Sequence, residues 1–439
     1  MRNRGSVGSD EGKAMNIGII GLGYVGLPLA VAFAEAGHDI VGVDTDNRRA
    51  SGIARGHSHV EDISDERLAA VCDRIATTTR MSRLARADAI IICVPTPLTA
   101  NGVPDLSALI DSVTGVASIL QAGQLVVLES TTYPGTTRDR VAPILGEAGL
   151  VAGRDYNLAF SPERVDPGRT DFTLRTTPKV VGGLTEACGD RAEALYREIC
   201  DTIVRVSTPE AAELTKLLEN IFRSVNIALV NELWMLADRM GIDIHEVIEA
   251  ADTKPYGFMR FDPGPGMGGH CLPVDPFYLT WKAREYGLST EFIELAGKVN
   301  HRMPEFCVDK VQRALNELGK PVRGAKVLVV GVAYKAATAD VRESPALRIL
   351  AQLGELGAKL SYHDPFVPEL PTLGLRSESL PAAAEAADVA VIVTAHPGVP
   401  HEAIAEIVPT VDLRAVLRSS PRPVAAETLS IADAEVVSA

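Results

Sequence analysis

The chain has 439 residues, 46% hydrophobic and 23% charged, a composition that fills two or three cores and lacks the marks of wholesale disorder. Its formal net charge of −14 argues against nucleic acid as a partner, because that affinity rests on many Lys and Arg contacts to phosphate. No run of about 18 or more apolar residues occurs and no apolar signal core precedes residue 15, while the six cysteines show neither a CxxC pair nor metal-ligand spacing; the expectation is a cytoplasmic protein with reduced thiols, no metal and no membrane partner.

Residues 1–14 read as a tail. From Asn16 an apolar run, Asn-Ile-Gly-Ile-Ile, leads into Gly21-Leu-Gly23-Tyr24-Val25-Gly26, then a helical run from Leu27 to Ala36, then Asp39-Ile-Val-Gly-Val-Asp44. A short apolar run, a glycine turn and a helix-period segment make the βαβ unit of a buried parallel sheet. Further strands are predicted at 87–94, 124–129 and 156–160, so this part is α/β and doubly wound.

A Gly-x-Gly-x-x-Gly pattern alone is weak. Here it follows a strand, opens a helix and is succeeded by Asp44 at the end of the next strand. The glycines permit close approach of backbone N–H groups to a pyrophosphate at the helix N-terminus, and Asp44 can accept both ribose hydroxyls, which favours NAD+ over NADP+. A tight structural turn is the plain alternative. Two more loops leave carboxyl ends of strands, Val94-Pro95-Thr96-Pro and Glu129-Ser-Thr-Thr132-Tyr-Pro. Their threonines either meet the cofactor or the reacting carbon or serve only as turn residues. After the strand at 156–160, Ser-Pro-Glu163-Arg164 sets a carboxylate in a loop, where Glu163 positions or deprotonates a water or is simply a surface acid.

Pro209 to Met240 contains no internal Gly or Pro and predicts one helix of about 30 residues, roughly 45 Å. Its apolar residues Leu214, Leu217, Leu218, Ile221, Val225 and Leu229 occupy more than one stripe, as suits burial between domains or between subunits. Lys216 and Asn220 share a face at i,i+4 and together form a candidate oxyanion site; a snorkelling Lys beside a helix Asn is the alternative. Residues 263–276 read Pro-Gly-Pro-Gly-Met-Gly-Gly-His-Cys-Leu-Pro-Val-Asp-Pro. So many glycines imply that the backbone comes very close to something. Cys271 at the end of that loop is placed to attack a carbonyl, with Asp275 four residues on. A packed structural cysteine, or a zinc site using His270 and Cys271, are the competing readings.

The last third repeats the opening order, with strands predicted at 326–331, 359–364, 387–394 and 410–413 and matching strand ends at Asp44 and Asp364. Its first turn lacks the three-glycine pattern, so a second dinucleotide is not indicated. Lys335 and Arg342 are candidates to hold a diphosphate, or are a solvated basic pair. The whole is therefore predicted to be α/β, with two Rossmann-like doubly wound domains joined by a long central helix: a dinucleotide domain at 15–206, a central helical part at 207–305 and a second Rossmann-like domain at 306–439.

Taken together, Gly-Leu-Gly-Tyr-Val-Gly, Ser-Pro-Glu-Arg, Glu-Leu-Thr-Lys216-x-x-x-Asn220, Gly-Gly-His-Cys271-x-x-x-Asp275 and Tyr-Lys335-x-x-Thr-x-Asp-x-Arg342-Glu-Ser resemble the UDP-glucose/GDP-mannose dehydrogenase family over nearly all of residues 15–420. The stretches around Glu163 and Cys271 are most similar to the branch acting on UDP-N-acetylhexosamines. The resemblance implies NAD-dependent four-electron oxidation at C6 of a UDP-sugar, through a thiohemiacetal and then a thioester on Cys271. UDP-N-acetylglucosamine is the substrate it points to first, with UDP-glucose and the manno and galacto N-acetyl epimers as alternatives. It implies that Lys216, Asn220 and Asp275 organise oxygen and water, and that Glu163 and Thr132 assist proton movement. Gly21, Gly23, Tyr24, Val25, Gly26, Asp44, Pro95, Thr96 and Thr132 would hold NAD, and Glu163, Arg164, Lys216, Asn220, Arg260, Gly268, Lys335 and Arg342 the substrate. In the family the central helix mediates a homodimer and the C-terminal domain holds the UDP moiety. A two-electron β-hydroxyacid dehydrogenase and a silent nucleotide-binding protein are the rival classes.

Overall fold

The computed structural model describes residues 14–99, 102–165, 171–269 and 274–418. An eight-stranded sheet is built from β1 (Asn16–Ile20), β2 (Asp39–Val43), β3 (Ile75–Thr78), β4 (Ala89–Ile92), β5 (Leu125–Leu128), β6 (Asn157–Phe160), β7 (Lys179–Gly183) and β8 (Ile203–Val206), in the order β3-β2-β1-β4-β5-β6-β7-β8. Its apolar strands read as unbroken runs because both faces are covered. Ile17, Ile19, Ile91 and Val127 enter one core, and their neighbours Ile20, Ile90, Ile92, Val126 and Leu128 enter the other.

Pairing is parallel except between β6 and β7. β3, β7 and β8 were not legible in the sequence: β3 is Ile-Ala-Thr-Thr, β7 ends in two glycines and β8 carries Arg205, so none shows a clean apolar period.

The long helix runs from Pro209 to Met240, the limits predicted, and its ends explain why. Thr208 caps it by accepting from the Ala211 N–H, Pro209 needs no hydrogen-bonded N–H in the first turn, and Gly241 closes it at φ +69°. A second long helix, Glu291–Glu317, lies against it and carries Pro304 in its interior. The division expected at residue 305 falls within this helix.

Beyond it, β9 (Lys326–Val330), β10 (Lys359–His363), β13 (Val389–Ile392) and β14 (Thr410–Asp412) form a parallel sheet in the order β10-β9-β13-β14, with a small ribbon of β11 (Glu369–Leu370) and β12 (Leu375–Arg376) beside it. Two sheets dominated by parallel pairing and joined by a long helix is the architecture expected. The core of the second sheet is continuous with both long helices, because Trp234 and Met303 pack with Val327, Val329, Ile349 and Leu350. Among the described residues no helix is long and apolar enough to cross a membrane.

A buried amide network joins the two long helices to the glycine-rich loop. Asn231 donates to Asn300 Oδ1 (2.9 Å), Asn300 donates to the Ser224 carbonyl (3.1 Å), and the Gly264 N–H donates to Asn231 Oδ1 (2.9 Å). Asn300→Ala removes one partner and leaves the others buried without one, so it is expected to lower stability by about 1–3 kcal/mol in a urea titration. A change within error would show that the network does not hold the helices together.

Candidate functional site

The first site is the turn after β1. Gly21 has φ +88°, and a Cβ there would lie 2.7 Å from the Cys93 carbonyl oxygen; a Cβ on Gly26 would lie 1.8 Å from the Gly21 oxygen. Both positions therefore demand glycine. At Gly23 the opposite holds: an added Cβ would meet nothing within 4 Å, which leaves the room that a pyrophosphate needs before the helix Gly26–Glu35. Tyr24 and Val25 are half-buried against the core below. Asp44 is buried, and its carboxylate accepts the Leu22 N–H (2.9 Å) from within the turn and the Asp46 N–H (2.8 Å). The acid is thus rigidly set beside the turn, and these residues fit a dinucleotide.

The two neighbouring loops are stitched to each other. Thr96 Oγ1 donates to the Thr131 carbonyl and Ser130 Oγ to the Val94 carbonyl, each at 2.7 Å. The hydroxyl hydrogen of Thr96 is therefore engaged within the protein, beside the exposed Pro95. Thr132 is 1% exposed, and its hydroxyl has no hydrogen-bond partner among the described residues. The segment after it is pinned to the central helix by Glu213, which the sequence reading passed over. Glu213 is fully buried and accepts from the Gly135 N–H (2.6 Å), the Thr137 N–H (2.8 Å) and Thr137 Oγ1 (2.7 Å); burial still pushes its carboxyl up to about 7.

The chemical centre lies one turn further along that helix. Asp275 opens the helix Asp275–Ala283, is 3% exposed, and accepts a hydrogen bond from Asn220 Nδ2 at 2.5 Å. Burial pushes its carboxyl up to about 6, opposed by the charge of the half-buried Lys216 and by the Asn220 bond. Lys216, Asn220 and Asp275 are thus brought together. His270 and Cys271, and with them the thiol and zinc alternatives, lie outside the described residues.

The glycines before them approach protein. A Cβ on Gly268 would lie 2.6 Å from the Tyr334 Cβ, a Cβ on Gly269 2.9 Å from the Tyr334 ring, and the Gly269 N–H donates to the Arg342 carbonyl (2.9 Å). The close approach read from the glycine run is therefore met in part by the C-terminal domain.

Glu163 is held by its own loop: Oε1 accepts the N–H groups of Arg164 (2.7 Å) and Val165 (2.5 Å). Arg164 ties that loop to the central helix through Glu219 (2.7 Å). Behind it lies a buried charge cluster absent from the sequence reading. Lys179 Nζ is 2.7 Å from Glu129 and 3.7 Å from Glu163 Oε2, and the Tyr196 hydroxyl donates to Glu129. Burial opposes the charge on Lys179, but Glu129 and Glu163 outweigh it and hold the ammonium above its usual range. A Lys opening the otherwise apolar strand β7 was the one available signal.

Arg260, expected at the substrate, is held by Asp262 (3.0 Å) and Asp252 (3.9 Å) and is half-exposed. Arg342 is gripped by Asp340 (2.6 Å), and its guanidinium lies 5.3 Å over the Tyr24 ring. The C-terminal domain thereby touches the cofactor turn, and the Ala339 N–H adds a bond to Glu61 (3.0 Å). A cleft lined by Tyr24, Glu61, Tyr334, Thr338, Asp340 and Arg342 marks this junction. Lys335 sits half-buried in the same segment.

Comparison with known proteins matches residues 15–200 to the NAD binding domain of the UDP-glucose/GDP-mannose dehydrogenase family, residues 210–302 to its central domain and residues 328–419 to its UDP binding domain. The chain is 38% identical to a UDP-N-acetyl-D-mannosamine dehydrogenase of Pyrococcus horikoshii over 387 residues, covering 87% of this chain and 90% of that protein. It is 34% identical to a UDP-N-acetyl-D-glucosamine 6-dehydrogenase of Pseudomonas aeruginosa, covering 81% and 84%. A solved structure of the Pyrococcus horikoshii UDP-D-ManNAc dehydrogenase superposes with a TM-score of 0.85 at 36% identity, covering 93% of this chain and 97% of that one.

Lys179→Met leaves Glu129 buried without its cation, and the expected loss is about 3–5 kcal/mol by chemical denaturation. Adding Glu129→Gln removes both charges and is expected to restore most of that loss. A single variant as stable as the parent would mean the cluster is not a charged pair.

Proposed function

Because the chain belongs to the UDP-glucose/GDP-mannose dehydrogenase family, and is with it an NAD-dependent nucleotide-sugar dehydrogenase, we propose that it oxidises the C6 hydroxymethyl of a UDP-N-acetylhexosamine to the carboxylate through Cys271. The observation that carries this reading is the contact between Asn220 and the buried Asp275, with Lys216 on the same helical face. Asp275 opens the helix Asp275–Ala283 and follows Cys271 by four residues in the sequence, so of the three groups it is the one tied to the thiol by the chain itself.

Bound NAD+ supplies the acceptor for each of the two hydrides. The side chains manage everything else. The C6 hydroxyl gives its proton to the Lys216–Asp275 pair as the first hydride leaves, and the Cys271 thiolate adds to the resulting aldehyde carbon while the former carbonyl oxygen takes that proton back as the thiohemiacetal hydroxyl. The thiohemiacetal hydroxyl gives up its proton along the same route as the second hydride leaves, which produces a thioester. Water then adds to the acyl carbon, its proton passes to the carboxylate of Asp275, and the carbon–sulfur bond breaks to return the thiolate. Lys216 and Asn220 are positioned to steady the oxyanions that form at each stage. Asn220 occupies only Oδ2 of Asp275, so Oδ1 is the atom assigned to the water. Glu163 and Thr132 are assigned to assist proton movement, the latter through a hydroxyl that lacks a partner among the described residues.

The UDP moiety is assigned to the C-terminal domain, with Lys335 and Arg342 as its basic groups. For the sugar, the gluco epimer is the first reading; the manno epimer is favoured by the 38% identical relative. A homodimer through the central helix is supported by Leu214, Leu218, Phe222, Leu229, Leu233 and Leu236, all exposed along it in the single chain.

Two NADH per sugar are expected from a panel of UDP- and GDP-sugars, and one NADH would favour a two-electron dehydrogenase. Cys271→Ser is expected to slow the second oxidation far more than the first; unchanged acid formation would remove Cys271 from the mechanism.

The acid limb of kcat is expected near pH 6, where Asp275 gains its proton, with Asp275→Asn losing about 10²–10⁴-fold in rate. The sign for stability is opposite. A carboxyl raised from 3.8 to about 6 by folding favours the native state at low pH, and that contribution is lost as pH rises through 6. Asp275→Asn is therefore expected to be more stable than the parent at pH 8, by on the order of 1–3 kcal/mol. A less stable variant with an unmoved acid limb would contradict both statements.

A further inference from the structure

The C-terminal sheet repeats the dinucleotide turn bond for bond. Gly21 donates to the Val43 carbonyl (2.8 Å) and Gly331 to the His363 carbonyl (2.9 Å). The next residue donates to the acid at the end of the neighbouring strand, Leu22 to Asp44 Oδ2 (2.9 Å) and Val332 to Asp364 Oδ2 (2.7 Å). Each acid then accepts the N–H two residues on, Asp46 at 2.8 Å and Phe366 at 2.9 Å.

The halves differ in what else meets the acid. Asp364 also accepts from Ala333 (3.1 Å) and Val367 (3.1 Å) and pairs with His396 Nε2 at 3.0 Å, with both side chains fully buried. The carboxylate that would accept a ribose in a dinucleotide half is turned inward here.

His396 has a second bond. Its Nδ1 accepts the Ala337 N–H at 3.2 Å, so the ring carries its proton on Nε2, toward Asp364. Ala337 has φ +58°, a left-handed conformation that an alanine does not adopt unaided. It lies between Lys335 and Arg342. The neighbouring backbone is tied to the same corner, since Thr394 Oγ1 donates to the Ala333 carbonyl (2.7 Å), and the Phe366 ring lies 5.0 Å from the imidazole.

We propose that His396, oriented by Asp364, is a positioning residue for the nucleotide diphosphate: it holds Ala337 in its left-handed conformation and so fixes the spacing of Lys335 and Arg342 around the anion. The duplicated ribose acceptor has become the anchor of an anion loop. This rests on the assignment of the UDP moiety to the C-terminal domain.

Binding of UDP alone and of NAD+ alone to the full-length protein, by calorimetry, separates the outcomes. His396→Ala is expected to weaken UDP at least tenfold and to leave NAD+ within twofold. Ala337→Val strains the same backbone at an exposed position while keeping the His396–Asp364 pair, and is expected to weaken UDP similarly; it carries the test should His396→Ala fail to fold. Arg342→Ala is the control for the underlying assignment. Unchanged UDP binding in both loop variants, with a loss in Arg342→Ala, overturns the role of His396 and leaves the diphosphate site standing. Equal weakening of UDP and NAD+ also overturns it, as a general loosening. Unchanged UDP binding in Arg342→Ala together with Lys335→Ala overturns the assignment itself.

Discussion

A carboxylate withdrawn from water at the junction of two helices is the constraint from which the rest follows. Asp275 is held by Asn220 and faces the charge of Lys216, and neither partner fully offsets the loss of hydration. The carboxyl therefore stays poised near the pH at which it must exchange protons, which a well-solvated or fully paired acid would not. Stability is given up at that point, and the surrounding structure has to hold the group where it is.

The long central helix does that holding. Glu213 grips the threonine loop from the dinucleotide sheet, Glu219 grips the Glu163 loop through Arg164, and Asn220 meets Asp275 within the field of Lys216, all within about two turns. Further along, Asn231 joins the glycine-rich loop and the second long helix. Loops from separate parts of the chain are thus registered against one rigid element, as positioning within fractions of an ångström requires. The C-terminal domain closes the arrangement through Arg342 over Tyr24 and through the Gly269 N–H bonded to the Arg342 carbonyl.

How much of this was legible depended on whether the signal was local. The glycine turn, Asp44 and the limits of the central helix were readable because each is set by neighbours in sequence: a strand before Gly21, Thr208 and Pro209 at one helix end, Gly241 at the other. The Lys216, Asn220 and Asp275 grouping was legible as motif, but the burial that raises Asp275 was not. The Glu129–Lys179–Tyr196 cluster joins residues 50 and 67 positions apart, and nothing local announces such a pair. The helix Glu291–Glu317 was hidden by its internal Pro304 and a weakly apolar sequence. The glycines at 268 and 269 announced close approach without saying to what, and Tyr334 supplies part of the answer.

The point on which all else turns is that Asp275 is an acid raised by its burial and only partly compensated by the charge of Lys216 and the Asn220 bond. Its most direct test is a titration of the Asp275 carboxyl itself, by isotope-edited infrared or carbon NMR on the intact enzyme, in the parent and in Lys216→Met. The expected result is a midpoint near 6 that moves upward when the ammonium is removed. A midpoint near the ordinary value of 3.8 that ignores Lys216 would contradict it.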